Sequence, residues 1–329
     1  MTTTMKTTFI ILLILCTFSI DAQVIDLNLI GPRTNAYAEF FPSPFSADSL
    51  SFNSVLTGAS ATIPLKTKLK LQLLKKQGSV SQHLFRFDAR RRFTDMNKYT
   101  SPVISYGGSA GLFGIRIKYK NKKLRAVFYG AEFRFEEQFQ NYSGLVPLVS
   151  TTFGGARIYG KNKIVLYGGY LGYVGGRIIP LPLLGGMYPI SKRWSIVGLL
   201  PVQVKLSVKV NKRFKQDIVC SVYGFRTGVH NNNLLTSSLL DRIDVNTSGL
   251  KLSTQSKIKL NHSFVLQAEM GILTNRTSLT ATDSPKENLD RNTSPYFRVS
   301  LNMIFGDPIL KKVNKLKKKL SDTPFGKDF

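Results

Sequence analysis

An all-β chain, an antiparallel up-and-down sheet that closes on itself, is predicted by three features of the sequence. Apolar and polar residues alternate with period two along most of the chain, which marks half-buried strands. Short turns rich in Asn, Gly, Ser and Lys separate the alternating runs. Tight turns fall on one rim of the sheet and longer polar connections on the other, the asymmetry of an outer-membrane barrel.

Residues 1–22 precede the sheet. Lys6 supplies a positive start, Phe9–Phe18 is an apolar core and Ala22 precedes Gln23, which together read as a secretory signal peptide. That apolar core is too short to cross a bilayer as a helix. Leu15 before Cys16 is too large for a lipoprotein cleavage box. Residues 23–50, with Pro32, Pro42 and Pro44, read as an irregular periplasmic lead-in.

The barrel is expected over residues 51–306. Ser51–Ile63 and Leu65–Lys76 form two candidate strands around Pro64, and Gln82–Phe93 returns after a turn at Gln77. Ile115, Ile117 and Tyr119 alternate with Arg116 and Lys118; after a turn at Asn121, Val127, Tyr129, Ala131, Phe133 and Phe135 form the facing apolar row. Leu148–Tyr159 and Lys163–Gly175 turn at Asn162, and Leu181–Ile190 pairs with Arg193–Leu200. The clearest hairpin is 202–225: Val202, Val204, Leu206, Val208 and Val210 oppose Gln203, Lys205, Ser207 and Lys209, and Phe214, Ile218, Cys220 and Val222 return on the apolar face. Gly249–Leu260 and Phe264–Ile272 repeat the unit around His262, and Tyr296–Phe305 is the last strand. The count is fourteen, or twelve if a doubtful pair lies outside the wall. Either is even, so both ends of the barrel meet on the tight-turn side. The longer connections are expected at 226–248 and 274–294.

Residues 307–329 change character. Asp307 and Pro308 suit a helix start, and Ile309, Leu310, Val313, Leu316 and Leu320 recur at helical spacing among lysines, which predicts a short basic amphipathic helix.

An exported β-sheet placed in lipid has to close, because open edges leave N–H and C=O groups without partners. The expected location is therefore the outer membrane, among its lipid and lipopolysaccharide. The chain carries 46 basic against 19 acidic residues, a formal charge of +27, and so favours anionic partners. Because the charges are interleaved with apolar residues inside strands of an exported chain, nucleic acid is not expected. Once the leader is gone Cys220 is the sole cysteine, so neither a disulfide framework nor a cysteine metal site is expected, and no cofactor. Gly107–Gly114 lacks the Lys-Ser/Thr ending of a phosphate loop and fits wall curvature instead.

The segment Pro180–Ile190 (PLPLLGGMYPI), with Arg193-Trp194 and Leu200-Pro201, resembles an uncharacterised family of Bacteroidetes outer-membrane β-barrels, over roughly residues 50 to 306. The resemblance implies fold and location and brings no substrate. Tyr296–Phe305 is similar to the C-terminal strand signal read by the barrel-assembly machinery, with Tyr296 and Phe305 as its candidate residues; here residues 306–329 follow it.

With apolar rows facing lipid, the opposite rows line the lumen. The candidates are Arg116, Lys118, Glu132, Arg134, Glu136, Lys205, Lys209, Lys251, Lys257, Lys259, Glu269 and Arg298, joined by Asp217. Basic groups exceed acidic ones, which points to a passive porin-like channel favouring anionic solutes. The alternative is a closed structural or surface-binding barrel, its charges paired across a filled interior and its long loops carrying the function. Hydrolase chemistry is not expected: His83 with Ser81, His230 beside Asn231, and His262 form no triad.

Overall fold

A computed structural model of the chain describes residues 33–41, 52–72, 77–96, 100–120, 123–138, 147–159, 163–174, 177–230, 242–281 and 287–305. The leader, most of the lead-in, the loop at 231–241 and the lysine-rich tail with its predicted helix lie outside the described residues.

Fourteen strands form one closed barrel in chain order. They are β1 (Arg33–Phe41), β2 (Phe52–Gln72), β3 (Gln77–Met96), β4 (Thr100–Lys120), β5 (Lys123–Gln138), β6 (Leu148–Tyr159) and β7 (Lys163–Val174). The second half comprises β8 (Arg177–Pro189), β9 (Trp194–Leu200), β10 (Gln203–Lys209), β11 (Phe214–His230), β12 (Arg242–Lys259), β13 (Phe264–Ala281) and β14 (Glu287–Ile304). Each pairs antiparallel with its sequence neighbour, and β1 closes on β14 from Arg33↔Ile304 to Phe40↔Phe297. Closure leaves no edge strand exposed.

Two errors of the sequence reading cancel in the count of fourteen. Arg33–Phe41, within the lead-in expected from the sequence, is β1 and completes the wall. Its outward residues include Ala36 and Ala38, so it lacks the apolar row that advertises a strand, and its larger side chains Tyr37 and Phe41 point inward. The two candidate strands around Pro64 are one strand, β2, with a bulge between Pro64 and Thr67. The bulge inserts an extra residue and exchanges the two faces, so Lys68 and Lys70 emerge outside while Leu69 points in.

The connections β2–β3, β4–β5, β6–β7, β8–β9, β10–β11 and β12–β13 all fall at one end of the barrel, although Gln77, expected in a turn, opens β3. Three of them share one construction: a side-chain oxygen at the second turn position accepts backbone N–H groups two and three residues on. Ser191 Oγ caps Arg193 and Trp194 at 3.2 and 3.1 Å, Asn211 Oδ1 caps Arg213 and Phe214 at 2.7 Å, and Asn261 Oδ1 caps Ser263 and Phe264 at 2.8 Å. These are Asx- and Ser-type turns, which is why Asn and Ser mark them in sequence. The opposite rim is less uniform than expected. Strands β11 to β14 run on into both stretches assigned to loops, leaving connections of only 231–241 and 282–286, and β9 turns into β10 through Pro201 and Val202 alone.

Strand height varies around the ring. Strands β2 to β4 have 20 or 21 residues, whereas β9 and β10 have 7 each. Above the short sector β6–β10, the upper part of β11 reaches the end of β5 and pairs with it, Gly228 against Glu137. The pairing is parallel, as parity requires: bypassing five strands closes β11–β14 and β1–β5 into a ring of nine, and an odd ring of alternating strands must contain one parallel contact. The barrel is therefore fourteen strands around at the tight-turn end and nine at the other.

Outside, the wall carries apolar side chains on every strand that has an exposed face: Phe85 and Phe87, Leu112, Tyr129 and Phe133, Phe153, Tyr167, Leu184, Ile196, Ile218, Leu252, Met270 and Val299 are 38–61% exposed. Inside, the surface divides. Strands β7 to β10 contribute a dry cluster of Tyr170, Leu181, Leu183, Leu199 and Val202. Val80, Ile117, Ala126 and Ala156 form a second such cluster with Leu69, Ile115 and Tyr119. The remaining inner wall is polar and charged around its middle and again carries buried apolar side chains, among them Leu56, Val229, Val245 and Leu273, toward the end away from the tight turns.

Several glycines in the wall, among them Gly58, Gly114, Gly130 and Gly155, lie beneath aromatic rings, an arrangement that protects backbone and pins register. A Cβ on Gly58 would stand 2.6 Å from Tyr37 Oη and 2.9 Å from the Ala89 carbonyl oxygen. Gly58→Val is expected to push Tyr37 off its hydrogen bond to Asp88 and to cost about 1–3 kcal/mol; urea unfolding of the refolded barrel measures it, and an unchanged midpoint would refute the fit.

Candidate functional site

The polar part of the lumen holds a cavity of about 220 Å³. Its wall comes from β1–β5 and β10–β14, the inward parities of which carry the charged residues. Eight basic side chains line it (Arg33, Arg86, Arg90, Arg134, Lys205, Lys251, Lys257 and Arg298) against three carboxylates, Glu39, Asp88 and Glu269. The chamber therefore has a surplus of positive charge, and its low-dielectric walls focus that field inward.

Each carboxylate is tied to the wall. Glu269 Oε1 receives Lys251 Nζ at 2.8 Å and the Ser253 hydroxyl at 2.6 Å, and its Oε2 accepts from Gln255 Nε2 at 3.2 Å. Glu39 pairs with Arg298 at 3.2 Å, and Asp88 accepts from the Tyr37 hydroxyl at 2.9 Å. Behind the chamber, buried Asp217 gathers three lysines: Lys257 at 3.1 Å, Lys215 at 3.4 Å and Lys205 at 3.9 Å. Lys251 and Arg298 also lie over the rings of Tyr296 and Tyr37, 4.4 and 4.8 Å from the centroids. Such cation–π contacts hold a cation in place while leaving its charge directed into the cavity.

Toward the nine-strand end the chamber meets a layer of buried side chains. Phe41 packs against Tyr223 and Tyr296, each ring centroid 5.1 Å away. Tyr223 meets Phe225, and the Arg92 guanidinium stacks 3.9 Å over the Phe225 ring. Arg92 is 0% exposed and Tyr296 0%. Arg92 donates from Nε to Glu136 Oε1 at 2.5 Å and from Nη1 to Ser54 Oγ at 3.2 Å, and Arg90 approaches the other oxygen of Glu136 at 3.0 Å. The layer reaches from β1 to β11 and from β3 to β5, across the narrow part of the barrel.

The lumen candidates from sequence divide accordingly. Arg134, Lys205, Lys251, Lys257, Glu269 and Arg298 border the chamber; Glu132 and Glu136 are buried on the same inner face; Lys209 and Lys259 share the inward parity but stand exposed at the tight-turn rim. Arg116 and Lys118 do not line the lumen. The two-residue connection between β4 and β5 sets Arg116 opposite Val127 and Lys118 opposite Arg125, so they share the outer face with the apolar row of β5. Ile115, Ile117 and Tyr119 point inward, and β4 changes which face is apolar partway along its length. Glu269 takes its ion pair from Lys251 on the neighbouring strand. Tyr296 is buried in the closing layer, and Phe305 is exposed at the rim.

Sequence reasoning missed the β1 contribution of Arg33, Tyr37 and Glu39, as well as Arg92 and Tyr223. The signal for Arg92 was present: Arg86, Asp88, Arg90 and Arg92 occupy one parity of β3, opposite Phe85, Phe87, Ala89 and Phe93. His83 is outward and 3.4 Å from the Tyr129 hydroxyl, on the apolar outer wall and away from the chamber.

No protein-family profile and no curated protein matches the sequence. Among solved structures, the chain is similar to the translocator domain of the autotransporter NalP from Neisseria meningitidis at 11% identity, over 87% of this chain and 92% of that one, with a TM-score of 0.31. It is similar to the transport unit of the autotransporter AIDA-I from Escherichia coli at 9% identity, over 86% and 93%, with a TM-score of 0.33. The toluene transporter TodX from P. putida aligns at 8% identity, over 87% and 91%, with a TM-score of 0.24.

Proposed function

We propose that this chain is an outer-membrane β-barrel whose lumen is a basic chamber for small anionic solutes, entered from the tight-turn side and shut at the other end at rest. The membrane location is supported by the apolar outer wall of a sheet without edges, together with the export signal read from the sequence. The function is carried by one observation: eight basic side chains face a single cavity beneath a layer of fully buried rings and a buried Arg–Glu pair. A wall of this charge raises the local concentration of anions. The closing layer makes the barrel a gated vessel and not a standing pore.

Charge-selective thiol labelling tests the chamber. With Cys220 replaced by serine, Gln203→Cys places a single thiol on the chamber lining. A sulfonate-bearing methanethiosulfonate is expected to react on the order of ten times faster than a trimethylammonium-bearing one, after normalising to a free thiol. Equal rates, or a preference for the cation, would refute a basic chamber.

A further inference from the structure

Lys118, which the fold places outside the lumen, belongs to a row of cations on the outer wall. Register places Lys118 directly opposite Arg125, and Arg125 directly opposite Arg157, on three successive strands. Two strands earlier in the same row, Lys70 faces Ser79, and Ser79 faces Lys118. All four cations point outward and are exposed. Among the described residues, no carboxylate stands in this row. Like charges directly opposite one another across a ladder repel, here at a strand spacing of about 4.8 Å, and the fold repeats the arrangement twice in succession. Lys192 and Arg193, and Lys212 and Arg213, extend the basic rim through two of the capped turns. Immediately inward from the ladder lie exposed apolar residues, Val127 and Tyr129 on β5 and Tyr167 on β7, while Tyr159 flanks Arg157 on the rim side. A cationic row bordering an apolar aromatic belt fits the headgroup level of a bilayer.

We infer that the Lys70–Lys118–Arg125–Arg157 ladder is a binding site for the phosphates of anionic glycerophospholipids in the leaflet at the tight-turn end. The inference rests on the membrane location proposed above. Arginine forks take phosphate oxygens in bidentate fashion, and headgroup phosphates placed between rungs convert a repulsive row into alternating charge.

The test uses the full chain refolded into zwitterionic phosphatidylcholine vesicles, with and without phosphatidylglycerol, and follows the temperature at which the folded gel band is lost. Phosphatidylglycerol is expected to raise it by about 5–10 °C at low ionic strength, and the gain should vanish in ~1 M salt. The variant Lys118→Gln/Arg125→Gln/Arg157→Gln is expected to lose more than half the gain and to melt higher than wild type in pure phosphatidylcholine, since the rungs no longer repel. A variant that gains as much as wild type overturns the inference. If that variant does not insert, the wild-type salt titration decides, and a gain that survives salt overturns the site. Insertion without any gain overturns the lipid site alone, whereas failure to insert in either vesicle overturns the membrane location and the site with it. An equal rise from inorganic pyrophosphate in phosphatidylcholine would assign the ladder to a soluble polyphosphate and overturn the lipid.

Discussion

Tyr223→Ala combined with Tyr296→Ala is expected to turn an electrically silent barrel into a conducting one. Both rings are buried against Phe41, Tyr296 completely so, and both also border the chamber. Truncating them removes the partition between the chamber and the nine-strand end while leaving every backbone pairing in place. In a planar bilayer the wild type should show no steps and the double variant steady ones. Reversal potentials in a salt gradient should favour anions, because the path then runs past Lys251, Arg298 and Arg90. Retention of the heat-resistant folded band is the control for integrity. Wild-type protein that conducts on insertion would refute the closed chamber; a folded double variant that stays silent would show that the two rings are not the barrier.

Glu136→Gln carries the second large effect, on stability. The carboxylate sits between Arg92, 2.5 Å away, and Arg90, 3.0 Å away, and both it and Arg92 are buried. An amide of the same shape leaves the Arg92 guanidinium enclosed and uncompensated, a situation that costs about 3–5 kcal/mol. Arg92→Met in the same background is expected to recover most of that loss, since it removes the buried charge left without its partner. Urea unfolding in vesicles measures both. A Glu136→Gln midpoint within error of wild type would mean that Glu136 does not carry the charge balance of the layer.

Much of this arrangement was legible in the residues, and the exceptions have physical causes. Strands β10 to β14 alternate cleanly because one face meets an apolar surround and the other a charged lumen, so Lys205, Lys251, Glu269 and Arg298 could be assigned to the inside from parity alone. The β4–β5 hairpin could not. Its alternation is just as regular, yet which parity faces in depends on the turn: with two residues between Lys120 and Lys123, even positions on β4 meet odd positions on β5, and Arg116 joins the outer row. A shift of one residue reverses every side chain, and the inward cluster around Ile117 gives β4 an apolar segment on each face. Strand β1 hid because its outward row is mostly small. The upper ends of β13 and β14 hid because both faces are polar there, as in Thr274, Asn275, Arg276 and Thr277. The closing layer has no local signature, since Phe41, Arg92, Glu136, Tyr223 and Tyr296 come from five strands scattered over the chain.

The difference in strand height has a consequence for the lipid itself. Seven residues at about 3.3 Å each, tilted by about 40°, raise β9 and β10 only ~18 Å, short of the ~25 Å apolar band that a barrel ordinarily presents. The same geometry gives β2 and β4 roughly 50 Å. Beside β9 and β10 the bilayer has to thin or its acyl chains have to splay, at a cost of fractions of a kcal/mol per Å of mismatch. In the membrane location proposed above, this mismatch would favour thin membrane along one flank and give the lipid around the barrel a front and a back.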